Sequence, residues 1–345
     1  MISFSGDPPF YIDEYTGLPV VSAYNLSIDQ LVEYLRQYKI NALLVDLQDV
    51  GVRLYTYIWT MYKVMTALST LGKQDGFSPK LIITDRPNPN GGVLVDGPML
   101  NMSFASGYAR VPIPFVHGMT IGELASYFNT FMDPPFTDLE VIRMENWNRN
   151  MLFYETGLSW MPPSPNLPTV FSALAYAATV FIEGTTISEG RGTTTPFTIF
   201  GAPFLSAHSL ADALNKALNC PVGRSCFRAA YYQPTFQKYN NTMIEGVQLL
   251  ERNDWKLTGK YPLRDFRSTV DMLKTLKAQS NPPESFVWDG SWFGHPGTEL
   301  VDQYAGTDQM RIQIDAGVPT DDIVKYFAPE REKFIAEVRA KFLLY

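Results

Sequence analysis

ALLVDLQDVGVRLYTYIWTMYKVMTALSTLGKQDGFSPKLIITD, residues 42–85, holds two apolar runs separated by a segment of helical length. The first run, Ala42–Val45, is uninterrupted and stops at Asp46, which is typical of a strand buried on both faces. Residues 53–71 are nearly apolar all round and predict a buried helix. A second strand, Lys80–Thr84, breaks at a turn-rich segment that begins at Asp85. The stretch therefore predicts a strand-helix-strand unit with parallel strands.

The same alternation extends to both sides of this unit. We predict one strand at residues 18–24 and another at residues 139–144. Ser27-Ile-Asp-Gln30 has the form of a capping box and predicts a helix to about residue 38, and Thr120-Ile-Gly-Glu123 predicts another to about residue 131. Alternating strands and helices predict right-handed crossovers and a mainly parallel, Rossmann-like α/β sheet.

Polar residues at the carboxyl ends of these strands are candidates for a ligand site, because ligands of open α/β sheets collect beyond that edge. The candidates are Asp46, Asp49, Asp85, Arg86 and Asn88. For Asp46 and Asp85 the alternative is helix capping or hydrogen bonding within a loop. The sequence contains neither a Gly-x-Gly-x-x-Gly fingerprint nor a Walker-type loop, so the sheet does not predict a nucleotide.

A proline-rich connector, Trp160–Pro168, contains four prolines in nine residues and resists both helix and strand. We place a boundary here, between a domain at residues 1–168 and a domain at residues 169–345. In the second half we predict helices at 169–178, 209–218, 263–278 and 320–342, and strands at 227–232 and 246–250. This mixture predicts a smaller α+β domain that folds against the first, with a pocket in the cleft between them.

The segment EGTTISEGRGTTTPF, residues 183–197, has neither helical nor strand periodicity and predicts an ordered loop. It combines Glu183, Glu189 and Arg191 with three glycines and several hydroxyls. These residue types suit ligand binding, because glycine lets the backbone approach a ligand closely. We expect this loop and the connector to face the cleft. The alternative is a surface turn whose charges are solvated.

Composition limits the class of partner. Of the 345 residues, 46% are hydrophobic and 18% charged, and the net charge of −7 argues against nucleic acid or an anionic membrane. No apolar stretch is long enough to span a membrane, and no signal peptide is visible at the N-terminus. Aromatic residues are expected mainly to fill cores. Cys220 and Cys226 allow one local disulfide, and three scattered histidines do not predict a metal centre.

Five motifs, taken in order, point to a family. They are DLQDVGVRLYTY at residues 46–57, DRPNP at 85–89, HGMTIGEL at 117–124, PSPNLP at 163–168 and the loop at 183–197. Together they resemble the NamZ-type exo-β-N-acetylmuramidases. These glycosidases remove N-acetylmuramic acid from the non-reducing end of peptidoglycan fragments, and the resemblance extends over essentially the whole chain.

The resemblance implies a Rossmann-like N-terminal domain, a smaller C-terminal domain, an active site between them and no cofactor. It implies a peptidoglycan-derived saccharide as substrate and an extracytoplasmic or secreted protein, although no signal peptide is visible. Family chains begin with an extra strand-helix-strand unit and a Pro-Glu-His-Gly turn, whose glutamate is a candidate catalytic acid, and this sequence has no such turn. Where the family pattern reads Glu-Gly-Pro, residues 96–98 read Asp-Gly-Pro.

Glycoside hydrolysis ordinarily uses two carboxyl groups across the scissile bond, although acetamido sugars can supply their own nucleophile. With the resemblance, we expect the catalytic carboxylates among Glu183, Glu189 and Asp96, without assigning acid or base. Either glutamate could instead orient a sugar hydroxyl. We predict that Glu189→Gln abolishes turnover.

A lactyl carboxylate distinguishes muramic acid from glucosamine and suits a planar guanidinium, which binds a carboxylate through two parallel hydrogen bonds. Arg191 and Arg86 are the candidates. The alternative for each is an internal ion pair, with Glu189 and Asp85 respectively. We predict that Arg191→Lys weakens muramic over glucosamine substrates.

Further candidate substrate contacts lie in the motif loops, at Asn88, His117, Ser164 and Asn166. For His117 the alternative is a structural hydrogen bond, and asparagines in proline-fixed turns also serve local structure. A different class of function is a catalytically inactive sugar-binding relative that keeps the cleft. A Rossmann-type transferase that uses an activated sugar is a weaker alternative, because the phosphate loop is absent.

Overall fold

The structure, a computed structural model, describes residues 10–77, 79–220, 226–251 and 263–345. Residues 1–9, part of the segment in which no signal peptide is visible, lie outside these ranges. The strands are β1 (Phe10–Ile12), β2 (Pro19–Val21), β3 (Ala42–Val45), β4 (Lys80–Thr84), β5 (Asp96–Met99), β6 (Pro114–Val116), β7 (Leu139–Ile142), β8 (Ile199–Ala202), β9 (Phe227–Tyr232) and β10 (Ile244–Leu249). The α-helices are α1 (Ile28–Gln37), α2 (Tyr57–Asp75), α3 (Ile121–Asn129), α4 (Val170–Thr179), α5 (Ala207–Ala217), α6 (Phe266–Gln279), α7 (Glu299–Ala305), α8 (Gln309–Asp315), α9 (Thr320–Tyr326) and α10 (Ala328–Lys333).

Strands β3, β4 and β7 form a parallel sheet with β4 in the middle. Ala42 pairs with Lys80, and Leu81 pairs with Leu139. Helix α2 connects β3 to β4, as the strand-helix-strand pattern predicts, and it packs against α1 and α3. The predicted α/β fold class, with a Rossmann-like parallel sheet, is confirmed.

Both predicted capping boxes are present. The hydroxyl of Ser27 accepts a hydrogen bond from the backbone N–H of Gln30, and the Gln30 side chain accepts one from the backbone N–H of Ser27. Thr120 and Glu123 make the same exchange at the start of α3. A capping box pairs backbone donors that have no partner within the helix. The predicted starts of α1 and α3 are therefore confirmed.

One face of the parallel sheet is covered far less than the other. Val45 and Leu81 lie in the first apolar core, between the sheet and the helices, whereas Leu44 is 59% exposed and Ile142 is also exposed. Successive strand residues point to opposite faces of a sheet. The prediction that β3 is buried on both faces is wrong, because an apolar run does not show which faces the helices cover.

The second half contains the antiparallel sheet β8-β10-β9, with α5 packed against the sheet and α6 packed against α5. The predicted strand at residues 227–232 is confirmed as β9, and Cys220 and Cys226 form a disulfide. A smaller mixed α+β domain thus follows the parallel sheet, as predicted. The second apolar core also contains Val52 and Phe115 from the first half, and the division at residue 168 stays a prediction.

Several element boundaries differ from prediction for local reasons. The helix predicted at residues 53–71 begins only at Tyr57. The segment before it lies along β6, where Val52 forms a bridge with Val116 and the backbone N–H of Arg53 donates to the carbonyl of Phe115. The helix predicted at residues 320–342 is divided, since Pro329 opens α10 and residues 334–341 continue as π and 3-10 turns. The strands predicted at 18–24 and 139–144 are shorter. The first of them, β2, pairs antiparallel with β1 and does not join the parallel sheet. Strands β1, β5, β6 and β8 and helices α7 and α8 were not predicted. Among the described helices, none has the length and hydropathy to cross a membrane.

The C-terminal segment returns to the first core. Phe334 is buried in that core, and Phe342 packs against it. Arg339 donates hydrogen bonds to the carbonyl oxygens of Gly92 and Gly118. The end of the second half is therefore fastened to loops that surround the parallel sheet.

Candidate active site

Glu183 lies where α4 passes into an irregular loop. Helix α4 is followed by a 3-10 turn, Val180–Gly184, that carries Glu183. The rest of the loop is irregular, as predicted. Gly190 has a φ of +84°, and a Cβ placed there would lie 2.3 Å from the carbonyl oxygen of Ile199. Only glycine fits this close approach, so the loop has a fixed shape.

Glu183 is a buried carboxylate, 2% exposed, with two donor groups. Its Oε1 atom accepts hydrogen bonds from Nε and Nη2 of Arg191, at 2.9 and 2.5 Å. Its Oε2 atom accepts a hydrogen bond from the hydroxyl of Tyr304 at 2.8 Å. Burial lowers the pKa of Arg191, but the carboxylates of Glu183 and Glu189 raise it by more, so the guanidinium stays charged. The alternative of a solvated surface turn is wrong for this loop.

Lys238 fills the inside of the same loop. Its buried ammonium donates hydrogen bonds to the carbonyl oxygens of residues 182, 183 and 187, at 3.1, 3.0 and 2.9 Å. It also lies 3.1 Å from Oε2 of Glu189, which is 1% exposed. Burial lowers the pKa of Lys238, and the carboxylate of Glu189 opposes that shift.

Glu189 neutralises cations instead of facing a cavity. Besides Lys238, its Oε1 atom lies 3.5 Å from Nε of Arg191. At these ion-pair distances neither carboxylate oxygen accepts a well-aligned hydrogen bond from a described residue. The interaction is therefore mainly electrostatic, and the two glutamates of the loop balance the charges of Arg191 and Lys238.

A cavity of about 320 Å³ lies beside Glu183 and Arg191. Its wall comes from the loops before α1 and α2, the turn that carries Tyr108, the proline-rich connector, α4, the 183–197 loop, Phe293 and α7. Ser164 and Asn166 are its contributions from the connector. The volume lies within the range of about 300–1,000 Å³ that is usual for small-molecule sites. Of the described residues that line this cavity, Glu183 is the one with a carboxylate.

Tyrosines dominate the wall of the cavity: Tyr24, Tyr55, Tyr57, Tyr108, Tyr176 and Tyr304. Burial, and after it the negative charge of Glu183, raises the pKa of Tyr108 and raises the pKa values of Tyr176 and Tyr304 well above the ordinary range. These phenols stay protonated at neutral pH. Tyr304 already donates its hydroxyl to Glu183, so Tyr108 and Tyr176 are the two of these phenols that can donate a hydrogen bond to a ligand. All three offer ring faces to its apolar side.

Arg53 fastens this wall to the first half of the chain. Its fully buried guanidinium donates hydrogen bonds to the carbonyl oxygens of Pro98, Ile113 and Tyr304, at 2.9, 2.8 and 2.8 Å. Burial lowers the pKa of Arg53 to about 9. Tyr304 is thereby held at its backbone by Arg53 and at its hydroxyl by Glu183, which fixes the position of its side chain.

A different pocket, of about 630 Å³, lies at the carboxyl end of the parallel sheet and shares no lining residue with the cavity. Asp46, Asp85 and Arg86 line it. Arg86 binds Asp46 in a two-pronged ion pair, with Nε–Oδ1 at 2.6 Å and Nη2–Oδ2 at 2.9 Å. Arg86 therefore forms an internal ion pair, which was the alternative to a substrate contact. Its partner is Asp46, and not Asp85 as the sequence had suggested.

Asp85 joins three parts of the chain. Its Oδ1 atom accepts a hydrogen bond from the backbone N–H of Gly122 at 2.8 Å. Its Oδ2 atom accepts from the hydroxyls of Thr120 and Tyr345, at 2.7 and 2.8 Å. Burial raises the pKa of Asp85, although these hydrogen bonds oppose the shift. These contacts with the start of α3 fit the alternative given for Asp85 from the sequence, which was helix capping.

The side chains of His117, Asp49 and Asn88 contact other parts of the protein and do not face a pocket. Nε2 of His117 lies 3.2 Å from Oδ2 of Asp49, and Nδ1 of His117 accepts the backbone N–H of Met119. Asn88 donates to the carbonyl oxygen of Met119 at 3.0 Å. All three side chains are buried and line neither pocket. The structural alternative for His117 fits these contacts.

Asp96 ties strand β5 to the end of the chain. Its Oδ2 atom accepts the backbone N–H of Phe266 at 3.0 Å, and its Oδ1 atom lies 2.9 Å from Nη1 of Arg331. Asp96 does not line the cavity. The shorter carboxylate at this position therefore holds helices α6 and α10 against β5.

The candidate residues from the sequence consequently fall in three places. Glu183, Arg191, Ser164 and Asn166 line the cavity, and Asp46, Asp85 and Arg86 line the pocket at the sheet edge. The residues that line neither are Asp49, Asn88, Asp96, His117 and Glu189. The expectation of one cleft between the sheet ends and the 183–197 loop is wrong. The long loop after β3 separates them, since its first residue lines one pocket and its last residues line the other.

Sequence reasoning missed the tyrosines, Arg53 and Lys238. Arg53, Tyr55 and Tyr57 all belong to the first family motif, so that motif carried a usable signal. The aromatic residues were assigned to cores instead. Lys238 had no local signal, because its partners are backbone carbonyls about fifty residues earlier. Within the described ranges, no group of three His, Cys, Asp or Glu side chains is placed to hold a metal ion.

Comparison with known proteins places the whole chain in one family. Residues 6–171 match the description "Exo-beta-N-acetylmuramidase NamZ, N-terminal", and residues 174–345 match its C-terminal counterpart. The chain is 39% identical over 335 residues to the peptidoglycan beta-N-acetylmuramidase NamZ of Bacillus subtilis (strain 168), covering 97% of this chain and 74% of that protein.

Solved structures agree with this match. Crystal structures of two DUF1343 family proteins from Bacteroides fragilis NCTC 9343 are similar, with TM-scores of 0.79 and 0.72 at 28% and 29% identity. The matches cover 96% and 97% of this chain and 82% of each of those chains. The family matches span both halves and the fold agrees throughout, and the chain therefore belongs to the NamZ exo-β-N-acetylmuramidase family.

Proposed function

We propose that this chain hydrolyses β-N-acetylmuramic acid glycosides at the non-reducing end of peptidoglycan-derived saccharides, with the terminal sugar in the tyrosine-lined cavity. The Bacillus subtilis relative is named a peptidoglycan beta-N-acetylmuramidase, and 39% identity over nearly the whole chain supports the same activity. One observation carries the choice of cavity: its wall includes the Glu183 carboxylate, held by Arg191 and Tyr304.

The contacts of Glu183 suit the role of a fixed anion. Glycoside cleavage passes through an oxocarbenium-like transition state, in which positive charge develops at the anomeric carbon. A carboxylate already held by Arg191 and Tyr304 can stabilise that charge without reorganising. In an acetamido sugar, the same anion can orient the amide N–H while the amide oxygen attacks the anomeric carbon.

Other cavity residues are proposed to position the sugar. Ser164 and Asn166, in the connector, offer a hydroxyl and an amide to the sugar hydroxyls or its acetamide. Tyr108 and Tyr176 supply phenol donors and ring faces. Glu189 and Asp96 are left out of the proposed chemistry, because their partners are protein cations and their side chains do not line the cavity.

The experiment compares a chromogenic β-N-acetylmuramide with the matching β-N-acetylglucosaminide. Wild-type protein is expected to release N-acetylmuramic acid, Glu183→Gln to lose this activity, and Asp46→Asn, at the sheet-edge pocket, to retain it. No release by the wild-type protein would contradict the proposed activity. Equal release by Glu183→Gln would contradict the proposed site.

An inactive sugar-binding relative is not favoured. The curated relative that matches 97% of this chain is named for the enzymatic activity. The charges around Glu183 are also completely paired, so the carboxylate is held ready in the cavity wall. The hydrolysis experiment above separates the two possibilities directly.

A further inference from the structure

A small pocket of about 180 Å³ adjoins the tyrosine-lined cavity. Tyr24 and Thr56 line both. The tight turn at residues 106–109 connects them as well, because Gly107 lines the small pocket and Tyr108 lines the cavity. The two pockets are therefore adjacent. The hydroxyls of Tyr24 and Thr56 are hydrogen-bonded to each other at 3.0 Å in the shared wall, so a substituent of a ligand in the cavity passes this pair to reach the small pocket.

This pocket is basic. Lys63 and Arg110 line it, and no acidic side chain does so among the described residues. Burial lowers the pKa of Lys63, and the positive charge of Arg110 lowers it further. The two cations therefore repel each other, and no carboxylate in the wall offsets that repulsion. We call this pocket, with Tyr24, Thr56, Thr60, Lys63 and Arg110 in its wall, the basic pocket.

The basic pocket also has unused hydrogen-bond donors. Nζ of Lys63 donates to the carbonyl oxygens of Tyr24 and Leu26, at 2.9 and 2.8 Å. An ammonium has three N–H donors, so one remains. The Arg110 side chain is exposed and has no hydrogen-bond or ion-pair partner among the described residues. An anionic acceptor would satisfy both groups.

Cations nearer Glu183, and those at the sheet edge, are already neutralised. Arg191 is bound to Glu183, and Lys238 lies against Glu189. Arg86 is bound to Asp46, in a pocket that shares no residue with the cavity. Lys63 and Arg110 of the basic pocket are therefore cations beside the cavity that have no carboxylate partner among the described residues.

We propose that Lys63 and Arg110 form an anion subsite that binds a carboxylate carried by the sugar in the cavity. The proposal rests on the proposed function and assigns carboxylate recognition to residues other than Arg191 and Arg86. A guanidinium and an ammonium bind a carboxylate through charge-assisted hydrogen bonds. A muramyl ligand can present that carboxylate on its lactyl group or on a peptide attached to it, and the chemistry of recognition is the same.

Calorimetric binding of three ligands tests the subsite. N-acetylmuramic acid carries a lactyl carboxylate, N-acetylmuramyl dipeptide carries its carboxylate on the peptide, and N-acetylglucosamine carries none. The decisive variant is Arg110→Gln, because Arg110 is exposed and we expect its loss to leave the fold unchanged. Lys63→Met is the second variant, and Lys325→Gln is the control, since Lys325 is an exposed cation on α9 that lines neither pocket.

Arg110→Gln is expected to weaken binding of an anionic ligand roughly two- to fivefold, the upper part of the range for an exposed ion pair. N-acetylglucosamine and the Lys325→Gln protein should show unchanged affinities. If Arg110→Gln lowers the affinity for N-acetylmuramic acid, the lactyl group is the source of the carboxylate. If it lowers only the affinity for the dipeptide, the peptide is the source. Either result supports the subsite. The subsite is overturned if Arg110→Gln leaves the affinity for both anionic ligands unchanged or if neither anionic ligand binds detectably. It is also overturned if the affinity for N-acetylglucosamine falls by the same factor.

Ionic strength and turnover add two independent readings. Added salt should reduce the preference for the anionic ligand over N-acetylglucosamine in the wild-type protein and less so in Arg110→Gln, because salt screens exposed charges. Binding does not require turnover. Absent hydrolysis with a normal Arg110 effect would contradict only the proposed function, and normal hydrolysis with no Arg110 effect would contradict only the subsite.

Discussion

The ion pairs at the tyrosine-lined cavity and at the sheet-edge pocket differ in burial. Around the cavity, Glu183, Glu189 and Lys238 are buried and tied to each other, to Arg191 and to backbone carbonyls. At the sheet edge, the side chains of Asp46 and Arg86 are 49% and 41% exposed. The sheet-edge pocket has the larger volume and the position that parallel sheets favour for ligands. Our proposal of the cavity as the site therefore rests on its network of buried charges and sets pocket volume and position at the sheet edge aside.

Lys238→Met is the change with the largest expected effect on stability. It removes the nearer of the two cations that face the buried carboxylate of Glu189, leaving only Arg191 at 3.5 Å, and it removes three hydrogen bonds to the loop. Breaking one side of a buried pair costs about 3–5 kcal/mol, so the free energy of unfolding should fall by about that amount. Urea denaturation measures it. The double variant Lys238→Met with Glu189→Gln should recover part of the loss, and a wild-type stability for Lys238→Met would show that the loop does not depend on this charge.

Glu183→Gln should have the largest effect on activity. The carboxylate is proposed to stabilise transition-state charge, and removing one such group typically lowers kcat about 10²–10³-fold. Its fold should persist, as checked by circular dichroism and thermal melting. Glu189→Gln is the matched comparison, and we now expect it to lower stability before turnover. A folded Glu189→Gln protein without activity would instead restore the catalytic assignment suggested by the sequence.

Tyr304→Phe should have an intermediate effect. The change keeps the ring, its packing and the backbone contact to Arg53, and removes only the hydroxyl that donates to Glu183. Loss of one hydrogen bond to a charged group should lower kcat/KM about tenfold. Steady-state kinetics on the muramide substrate measure this ratio. Tyr127→Phe is a suitable control, since that hydroxyl donates to the carbonyl of Pro112 at 3.0 Å and Tyr127 does not line the cavity.

Arg86→Gln should have the smallest effect. An exposed ion pair contributes about 0–1 kcal/mol, and Arg86 is proposed to lie outside the site. We expect the free energy of unfolding to fall by no more than that and kcat/KM to stay at the wild-type value. If Arg86→Gln instead lowered activity as much as Glu183→Gln, the sheet-edge pocket would be the site and the comparison would be reversed.

The parts of the fold that could be predicted depend on neighbours in sequence. The capping boxes at Ser27 and Thr120 join residues three positions apart, and strands β3 and β4 are uninterrupted apolar runs bounded by turn residues. The predicted helix at residues 320–342 failed where Pro329 and the π turn interrupt it. The exposed face of β3 was missed because exposure depends on where helices pack.

The candidate site could be predicted only in part. The composition of the 183–197 loop was enough to select Glu183 and Arg191. Their neighbours were not evident, because Tyr304 lies 121 residues after Glu183 and 251 residues after Arg53. Glu189 looked equivalent to Glu183 in the sequence, and only the position of Lys238 distinguishes a neutralising carboxylate from one that lines the cavity.

By itself, the sequence determined the parallel α/β unit, the mixed second half, the family and the loop that carries the acidic and basic side chains. These follow from apolar periodicity, capping and motifs, which are local properties of the chain. The tertiary structure alone decided which carboxylate lines a cavity, which cations are neutralised and which cations remain available to a ligand. The physical reason is that a charge in a folded protein is defined by its burial and its partners, and here those partners come from segments far apart in sequence.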